Sequence, residues 1–338
     1  PWLRVGVNFI AARTINNYVY LDRNLVDQPF FTLDNEGGRG VFVPANTITA
    51  SGLTDNTRGR KSPGVGRTLL FTNGAVLNTF TSVLDAEVRI PAINGGEPGL
   101  FNISYTWNEA KDNTSYNGNV ANTSTFRPVK SDPRSLDEIN FSDNQFRTKV
   151  AAYLVSPSFY GFVVSGSYTG IGGTRYSLTV DGDINGDFVG GPGTDNDLAF
   201  VFDPNNPETP QNIRESMQKV LDNPDNRAVE HIRNSIGTIA DRNGGENPFF
   251  GTFNLRLTKI FKIYKSQKLE LMGEVFNLAN LLKRDWGGNY NLGNQTLLVP
   301  TGFNQVTRRY SYRVNENVGV TQRNGTPYQI QLGVRYSF

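Results

Sequence analysis

Apolar and polar residues alternate along the last stretch of the chain, from Tyr328 to Phe338. Successive side chains of a β-strand point to opposite faces, so this stretch predicts a strand with one apolar and one polar face. About 9–11 tilted residues are enough for a β-strand to cross a bilayer, and aromatic residues favour the two interfaces. The pattern therefore predicts a membrane-spanning strand, although a half-buried strand ending a soluble β-sandwich would alternate in the same way. The apolar positions are Tyr328, Ile330, Leu332, Val334, Tyr336 and Phe338.

The same alternation recurs upstream, which favours the membrane interpretation. Alternation of strand direction requires two more strands between Asn280 and Gly325, one at Val306–Asn315 and one within Asp285–Pro300. The total is then about ten strands. The sequence therefore predicts an all-β chain whose residues 1–338 form one antiparallel transmembrane β-barrel region. The other alternating segments are Leu3–Ala11, Leu84–Ile90, Phe101–Trp107, Val150–Leu154, Phe162–Tyr168, Phe253–Leu257, Leu269–Val275 and Tyr310–Val314.

Charged residues occupy the polar parity of several of these strands. A charge within an apolar strand needs water or a partner, so we expect these side chains to face a wet lumen. The candidates carry both signs, and a lumen that is merely kept wet would need no specific ligand. The lumen-facing candidates are Asp85, Glu87, Arg89, Arg256, Glu270, Glu274, Arg309, Arg313 and Arg335.

The connections between predicted strands are of two kinds. Short links are expected near 91–98, 156–158 and 264–267, whereas long ones span about 22–74, 109–146, 170–249 and 280–294. Outer-membrane barrels have short periplasmic turns and longer extracellular loops, so the long connections are predicted to be extracellular. Within the third, Ile213, Met217, Val220 and Leu221 are spaced as one helix face, and 227–236 suggests a second short helix.

Composition agrees with a barrel and excludes several other classes. Hydrophobic residues make up only 37% of the chain, mean hydropathy is −0.41, and no apolar run approaches the length of a membrane helix. The 33 basic and 31 acidic residues nearly cancel, so no nucleic-acid partner is expected. The absence of cysteine excludes disulfides and suits passage through an oxidising periplasm. The chain begins at Pro1 without a signal peptide, so we expect a mature or partial chain.

One segment resembles a calcium-binding loop. It opens with the Asp-x-Asp-x-Asn-Gly pattern of an EF-hand, in which oxygen ligands alternate and glycine allows a sharp turn. The twelfth position, where an EF-hand has a bidentate glutamate, is Pro192, although Asp195 or Asp197 could replace it. A hairpin turn rich in Asp, Asn and Gly would use the same residues. No other cofactor is expected, and the candidate calcium ligands are Asp181, Asp183, Asn185 and Asp187.

Catalytic chemistry has little support in the sequence. His231 is the only histidine, and its neighbour Glu230 could make it part of a hydrolase at a barrel mouth. No nucleophile elbow, zinc-protease motif or phosphate-binding loop accompanies it, so we expect no enzyme activity. A basic stretch, Arg58 to Arg67, would suit lipopolysaccharide phosphates or would simply be a solvated loop.

From Asp225 onward the sequence resembles a known family. The residues DNRAVEHIRNSIGTIADRNGGENPFFGTFNLRLTKIFKIYKSQKLELMGEVFNLANLLKRDWG, followed by the terminal YQIQLGVRYSF, look like the carboxy-terminal barrel of TonB-dependent receptors. Within that family the sequence resembles the Oar-like subgroup, whose members have a carboxypeptidase-regulatory-like amino-terminal domain. The segment Tyr176–Val201 also resembles a loop of that group.

The resemblance implies a location, partners and a function. Family members lie in the bacterial outer membrane as barrels of about 22 strands filled by a plug, so this chain would be about the second half. Its partners would be the plug domain, the remaining strands, the TonB complex and outer-membrane lipids. The barrel-assembly machinery would read the terminal aromatic residues Tyr336 and Phe338. The implied function is uptake of a large or scarce solute; the alternative is a self-closed passive or structural barrel, such as an adhesin or a secretion-associated protein.

Overall fold

The computed structural model describes residues 2–55, 57–114, 120–121, 123–190, 194–264 and 266–338. Most of its regular structure is β-strand, which confirms the all-β prediction. The strands are β1 Leu3–Asp22, β2 Phe31–Leu33, β3 Arg39–Val41, β4 Leu69–Ile90, β5 Gly99–Asp112, β6 Asn140–Phe141, β7 Thr148–Val155, β8 Phe162–Gly172, β9 Arg175–Tyr176, β10 Leu178–Val180, β11 Gly245–Glu246, β12 Phe250–Tyr264, β13 Gln267–Phe276, β14 Gln295–Asn304, β15 Arg309–Val314 and β16 Gln329–Ser337. The helices are α1 Gln211–Asp222, α2 Val229–Asn234 and α3 Leu278–Leu282.

One large antiparallel sheet dominates the fold. Its strands follow the order β1-β4-β5-β7-β8-β12-β13-β16, and β6 adds a short ninth strand beside β5. Each strand of this path pairs with its neighbour along the chain, as expected where hairpins follow one another. The two end strands, β1 and β16, each have one neighbour on this path.

The strand register sorts the side chains of the large sheet onto two faces. Residues directly opposite each other on neighbouring strands share a face. An apolar row crosses all eight strands of the path, and the adjacent parity gives mainly polar rows. The apolar row is Leu3, Val88, Phe101, Leu154, Gly166, Leu255, Val275 and Ile330. One polar row is Arg4, Glu87, Asn102, Tyr153, Ser167 and Asn254.

The apolar face of the large sheet is open to the surroundings. On β16 the exposed fractions are 61% for Ile330, 83% for Leu332 and 71% for Val334. Soluble monomers rarely leave a contiguous apolar patch of this kind uncovered. Alternation in this sheet therefore does not mark the protein's own hydrophobic core.

The core lies instead in the connections at one end of the sheet. Three short links join strands at the other end: 91–98, 156–161 and the link between β12 and β13. The long connections are 23–68, 113–147, 173–249 and 277–328, and we call their described residues the cap. The buried core of the cap includes Leu33, Val41, Ile48, Leu178, Val180, Ile184, Val201, Ile213, Met217, Val220, Ile232, Leu297, Leu298, Tyr310, Tyr312 and Val314.

Two strands predicted for the barrel lie in the cap, so the prediction of about ten barrel strands is wrong for this sheet. β14 and β15 form a separate three-stranded sheet with β10. Their apolar side chains, among them Leu298 and Tyr312, pack into the cap core. As a result Arg309 and Arg313 do not lie on the large sheet, and the fourth long connection runs from 277 to 328 rather than from 280 to 294.

The predicted helices are present in the third long connection. α1 begins directly after Pro210 and buries Ile213, Met217 and Val220, the residues whose spacing predicted one apolar face. α2 occupies the middle of the predicted 227–236 segment. Of the helices in the described residues, none is both long enough and apolar enough to cross a membrane.

Candidate functional site

A buried charge cluster links the four long connections. We define it as Glu36, Arg39, Asp197 and Tyr312, all nearly inaccessible to solvent. Arg39 Nε lies 3.6 Å from Glu36 Oε2, and its Nη1 lies 3.5 Å from Asp197 Oδ1. The same guanidinium donates to the carbonyl oxygen of Lys130 at 2.9 Å and to that of Leu198. The hydroxyl of Tyr312 donates to Glu36 Oε1 at 2.7 Å.

The acidic members of the cluster are hard to ionise. Burial raises the pKa of Asp197 to about 7, against the opposing effect of Arg39, and the carboxylate of Asp187 raises it further. Burial likewise raises the pKa of Glu36 and holds the pKa of Tyr312 well above its usual value. A charge in this position costs free energy unless it is paired, so the cluster makes cap stability depend on pH.

We expect the cap to become more resistant to unfolding as the pH falls through about 7. The folded cap then binds a proton on Asp197, whereas the unfolded chain binds it only near the ordinary Asp pKa of about 3.9. The stabilisation is complete below the unfolded pKa and is lost as the pH rises through the folded one. Urea unfolding of wild type and Asp197→Asn across this range measures it: the substitution should flatten the dependence, and identical pH profiles would contradict the assignment.

The predicted calcium loop uses its carboxylates to hold its own backbone. Asp183 Oδ1 accepts the N–H groups of Gly186 at 2.6 Å and Asp187 at 3.2 Å, and its Oδ2 accepts that of Phe188 at 3.0 Å. Asp187 Oδ1 accepts the N–H of Val189 at 2.9 Å, and Asn185 Oδ1 accepts that of Asp187 at 2.9 Å. Burial raises the pKa of Asp183 and of Asp187. Hydrogen bonds from nearby backbone N–H groups to Asp and Asn side chains are typical of a turn, so they favour the turn interpretation of this loop.

Calcium binding by this loop stays a prediction from sequence. Within the described ranges, no group of three or more His, Cys, Asp or Glu side chains is arranged to hold a metal ion. Asp181 is exposed at the loop's start, and Asp195 Oδ1 accepts the N–H of Gly182 at 2.9 Å. The twelfth position, Pro192, lies outside the described residues.

Asp183→Ala tests both interpretations of the loop. Removing an acceptor of three backbone N–H groups should destabilise the cap by about 1–3 kcal/mol, because buried donors lose their partner. Protease digestion of the cap in increasing urea measures this loss. Repeating the series with added calcium decides the metal question: protection of wild type but not of the variant would support a site, and equal protection would leave only the turn.

Seven of the nine lumen-facing candidates share the polar face of the large sheet. Arg256 Nε lies 3.0 Å from Glu274 Oε2, across the β12–β13 pair. Glu270 and Arg335 are direct neighbours across β13 and β16. On β4, the candidates Asp85, Glu87 and Arg89 are every second residue and therefore share this face.

The predicted assembly signal lies at an exposed end of the chain. Tyr336 is on β16, and Phe338 follows it with 94% of its surface exposed. The two ring centroids are 6.2 Å apart. Both residues therefore lie on an accessible edge of the sheet.

His231 does not form a catalytic pair. It is buried on α2, and its ring packs edge-on against Tyr176 with centroids 5.6 Å apart. Among the described residues neither ring nitrogen has a hydrogen-bond partner, and burial lowers the pKa of His231 to about 4. Within the described part of the chain, no carboxylate is therefore hydrogen-bonded to His231.

The basic stretch of the first connection is largely occupied by internal contacts. Arg58 lies 3.4 Å from Asp55, and Lys61 pairs with Asp27. The guanidinium of Arg60 lies 3.8 Å from the centre of the Phe188 ring. These contacts favour an ordinary structural role over a lipopolysaccharide phosphate site.

Sequence reasoning missed a cavity in the cap. The cavity measures about 530 Å³ and lies between β15, the start of α1 and the turn at Asp34–Glu36. Its walls come from three separate connections, so no single motif or spacing could have predicted it. Among its lining residues are Asp34, Phe202, Asp203, Glu208, Ile213, Arg309, Tyr310 and Tyr312.

Comparison of the chain with models of protein families gives no match, and comparison with curated proteins gives none either.

Proposed function

We propose that this chain is part of an outer-membrane receptor barrel that imports a large or scarce solute past a plug, with energy from the TonB complex. The observation that carries the proposal is the uncovered apolar face of the large sheet, opposite a face lined with charges. Lipid on one side and a wet lumen on the other would account for both faces at once.

The sheet edges favour a barrel with more strands than this chain contributes. Unpaired backbone groups at a sheet edge are not tolerated in lipid, yet β1 and β16 each have one neighbour on the sheet path. A barrel of about eight strands leaves an interior filled by its own side chains or one small ligand. Pairing of both edges with further strands would give a lumen wide enough for a plug and a solute.

The position of the cap indicates which end of the proposed barrel would face the cell exterior. All four long connections lie at one end of the sheet and all three short links at the other. Since outer-membrane barrels place short turns in the periplasm, the cap would face the cell exterior. There it would be the first part of the barrel to meet a solute.

The alternative is a passive or structural barrel, closed on itself, that acts as an adhesin or in secretion. Direct pairing of β1 with β16 would be its structural signature. The sheet path leaves these two strands at opposite ends, which favours the importer.

Replacing Glu270 and Glu274 together with Gln should raise passive leak without preventing barrel assembly. Both carboxylates lie on the polar face, and Glu274 forms an ion pair with Arg256. Removing the two negative charges weakens the electrostatic attraction between that face and a polar plug. Single-channel recording of the full-length protein measures the leak. Glu215→Gln combined with Glu230→Gln is the matched control, because it makes the same two changes at exposed positions of the cap.

Uptake experiments test the energised mechanism itself. Transport should stop when the proton motive force is collapsed. A large pore that is open in the unmodified protein, or uptake that continues without the proton motive force, would replace the importer with the passive barrel.

A further inference from the structure

The cap cavity combines an apolar floor with a charged rim. Phe202, Ile213 and Tyr310 line it while remaining almost fully buried in the cap core. Ligand sites are usually concave, largely apolar and between about 300 and 1,000 Å³, with a few polar groups that set specificity. At about 530 Å³ the cavity falls within this range.

The rim is rich in carboxylates that have no cationic partner. Asp34, Asp203 and Glu208 line the cavity, and among the described residues none of them forms an ion pair. Asp203 Oδ1 accepts only the backbone N–H of Asn205, at 2.8 Å, and Asp34 Oδ1 accepts the hydroxyl of Thr32 at 2.7 Å. One cation, Arg309, shares the rim. The rim therefore carries a net negative charge and spare hydrogen-bond acceptors.

We propose that this cavity binds a short peptide that carries a lysine or arginine side chain. Such side chains bury their methylene stem against apolar surface and keep the charged head among polar groups. Phe200, which also lines the cavity and is partly exposed, offers apolar surface to the stem, and the three carboxylates suit the head. Arg309 can donate to a peptide carbonyl or to a terminal carboxylate.

The same cavity is less suited to a saccharide. A neutral sugar would leave the excess negative charge of the rim uncompensated, whereas a cationic side chain compensates it. Peptide binding in this cavity requires only the folded cap and does not depend on import through the barrel.

Fluorescence anisotropy of a labelled Lys-Lys-Lys peptide tests the inference on the full-length protein in detergent micelles. The double variant Asp203→Asn with Glu208→Gln should bind at least about tenfold more weakly than wild type, because it loses two charge-assisted contacts. Asn keeps the oxygen that accepts the Asn205 N–H, so the local turn should persist. Unlabelled Glu-Glu-Glu and maltotriose should fail to displace the probe.

Asp225→Asn combined with Glu230→Gln is the matched control, because it removes the same two charges at exposed cap residues outside the cavity lining. This control should bind the probe like wild type. Equal affinity of the cavity variant and the control would show that the peptide is held by general surface charge, and would overturn the proposal. Displacement by maltotriose, or no binding of the probe to wild type, would overturn it as well.

Discussion

In the proposed membrane barrel, replacing Leu332 with Arg should lower the free energy of unfolding by about 2–4 kcal/mol. Leu332 is 83% exposed on the apolar face of β16, where its direct partner on β13 is Gly273. In lipid an arginine near the bilayer midplane loses its hydration, which is the source of the cost. Urea titration of the protein folded into lipid vesicles measures the change.

Gln331→Arg is the matched control for Leu332→Arg. It is the adjacent residue and lies on the polar face opposite Glu274, so a new arginine there has water and a carboxylate within reach. We expect a small effect on unfolding. If both variants are equally stable, or if Gln331→Arg is the more damaging, the assignment of the two faces is reversed or wrong.

Replacing Arg39 with Ala should destabilise the cap by about 3–5 kcal/mol. Its side chain is fully buried between Glu36 and Asp197, so truncation leaves two carboxylates without their cation. Two backbone carbonyls, those of Lys130 and Leu198, also lose their donor. Protease digestion of the cap in increasing urea measures the loss.

Two further variants show whether the Arg39 effect comes from the buried charge. Arg58→Ala removes an exposed ion pair with Asp55 and should cost at most about 1 kcal/mol. Adding Glu36→Gln and Asp197→Asn to an Arg39→Met background should recover most of the stability, because no unpaired charge then remains. A triple variant no more stable than Arg39→Met alone would mean that the unpaired charge does not set the effect.

Most strands of the large sheet were predictable because their signal is local. Alternation at two-residue spacing located β16 and β13 almost to their ends. It found β5 as Phe101–Trp107, whereas the strand continues to Asp112. The same signal failed for β15, where Tyr310 and Tyr312 alternate with polar residues just as a membrane strand would. Alternation records that one face of a strand is apolar; it does not record whether lipid or the cap core covers that face.

The buried charge cluster and the cap cavity were beyond sequence reasoning for another reason. Glu36 and Arg39 come from the first long connection, Asp197 from the third and Tyr312 from the fourth. No spacing rule relates residues so far apart in the chain. The carboxylate-rich loop was visible, because Asp183, Asn185 and Asp187 are adjacent, but its pattern fits a cation site and a hydrogen-bonded turn equally well.

Single-cysteine spin labelling along β16 tests the central claim most directly. The chain has no cysteine, so each substitution from Gln329 to Ser337 would give one labelled position without background. Accessibility to oxygen, which concentrates in lipid, and to a polar nickel chelate, which stays in water, would be measured on the protein in vesicles. We predict high oxygen and low nickel accessibility at Ile330, Leu332 and Val334, with the reverse at the alternate residues. Low accessibility to both probes at the apolar positions would show a face buried in protein, and would contradict the membrane barrel.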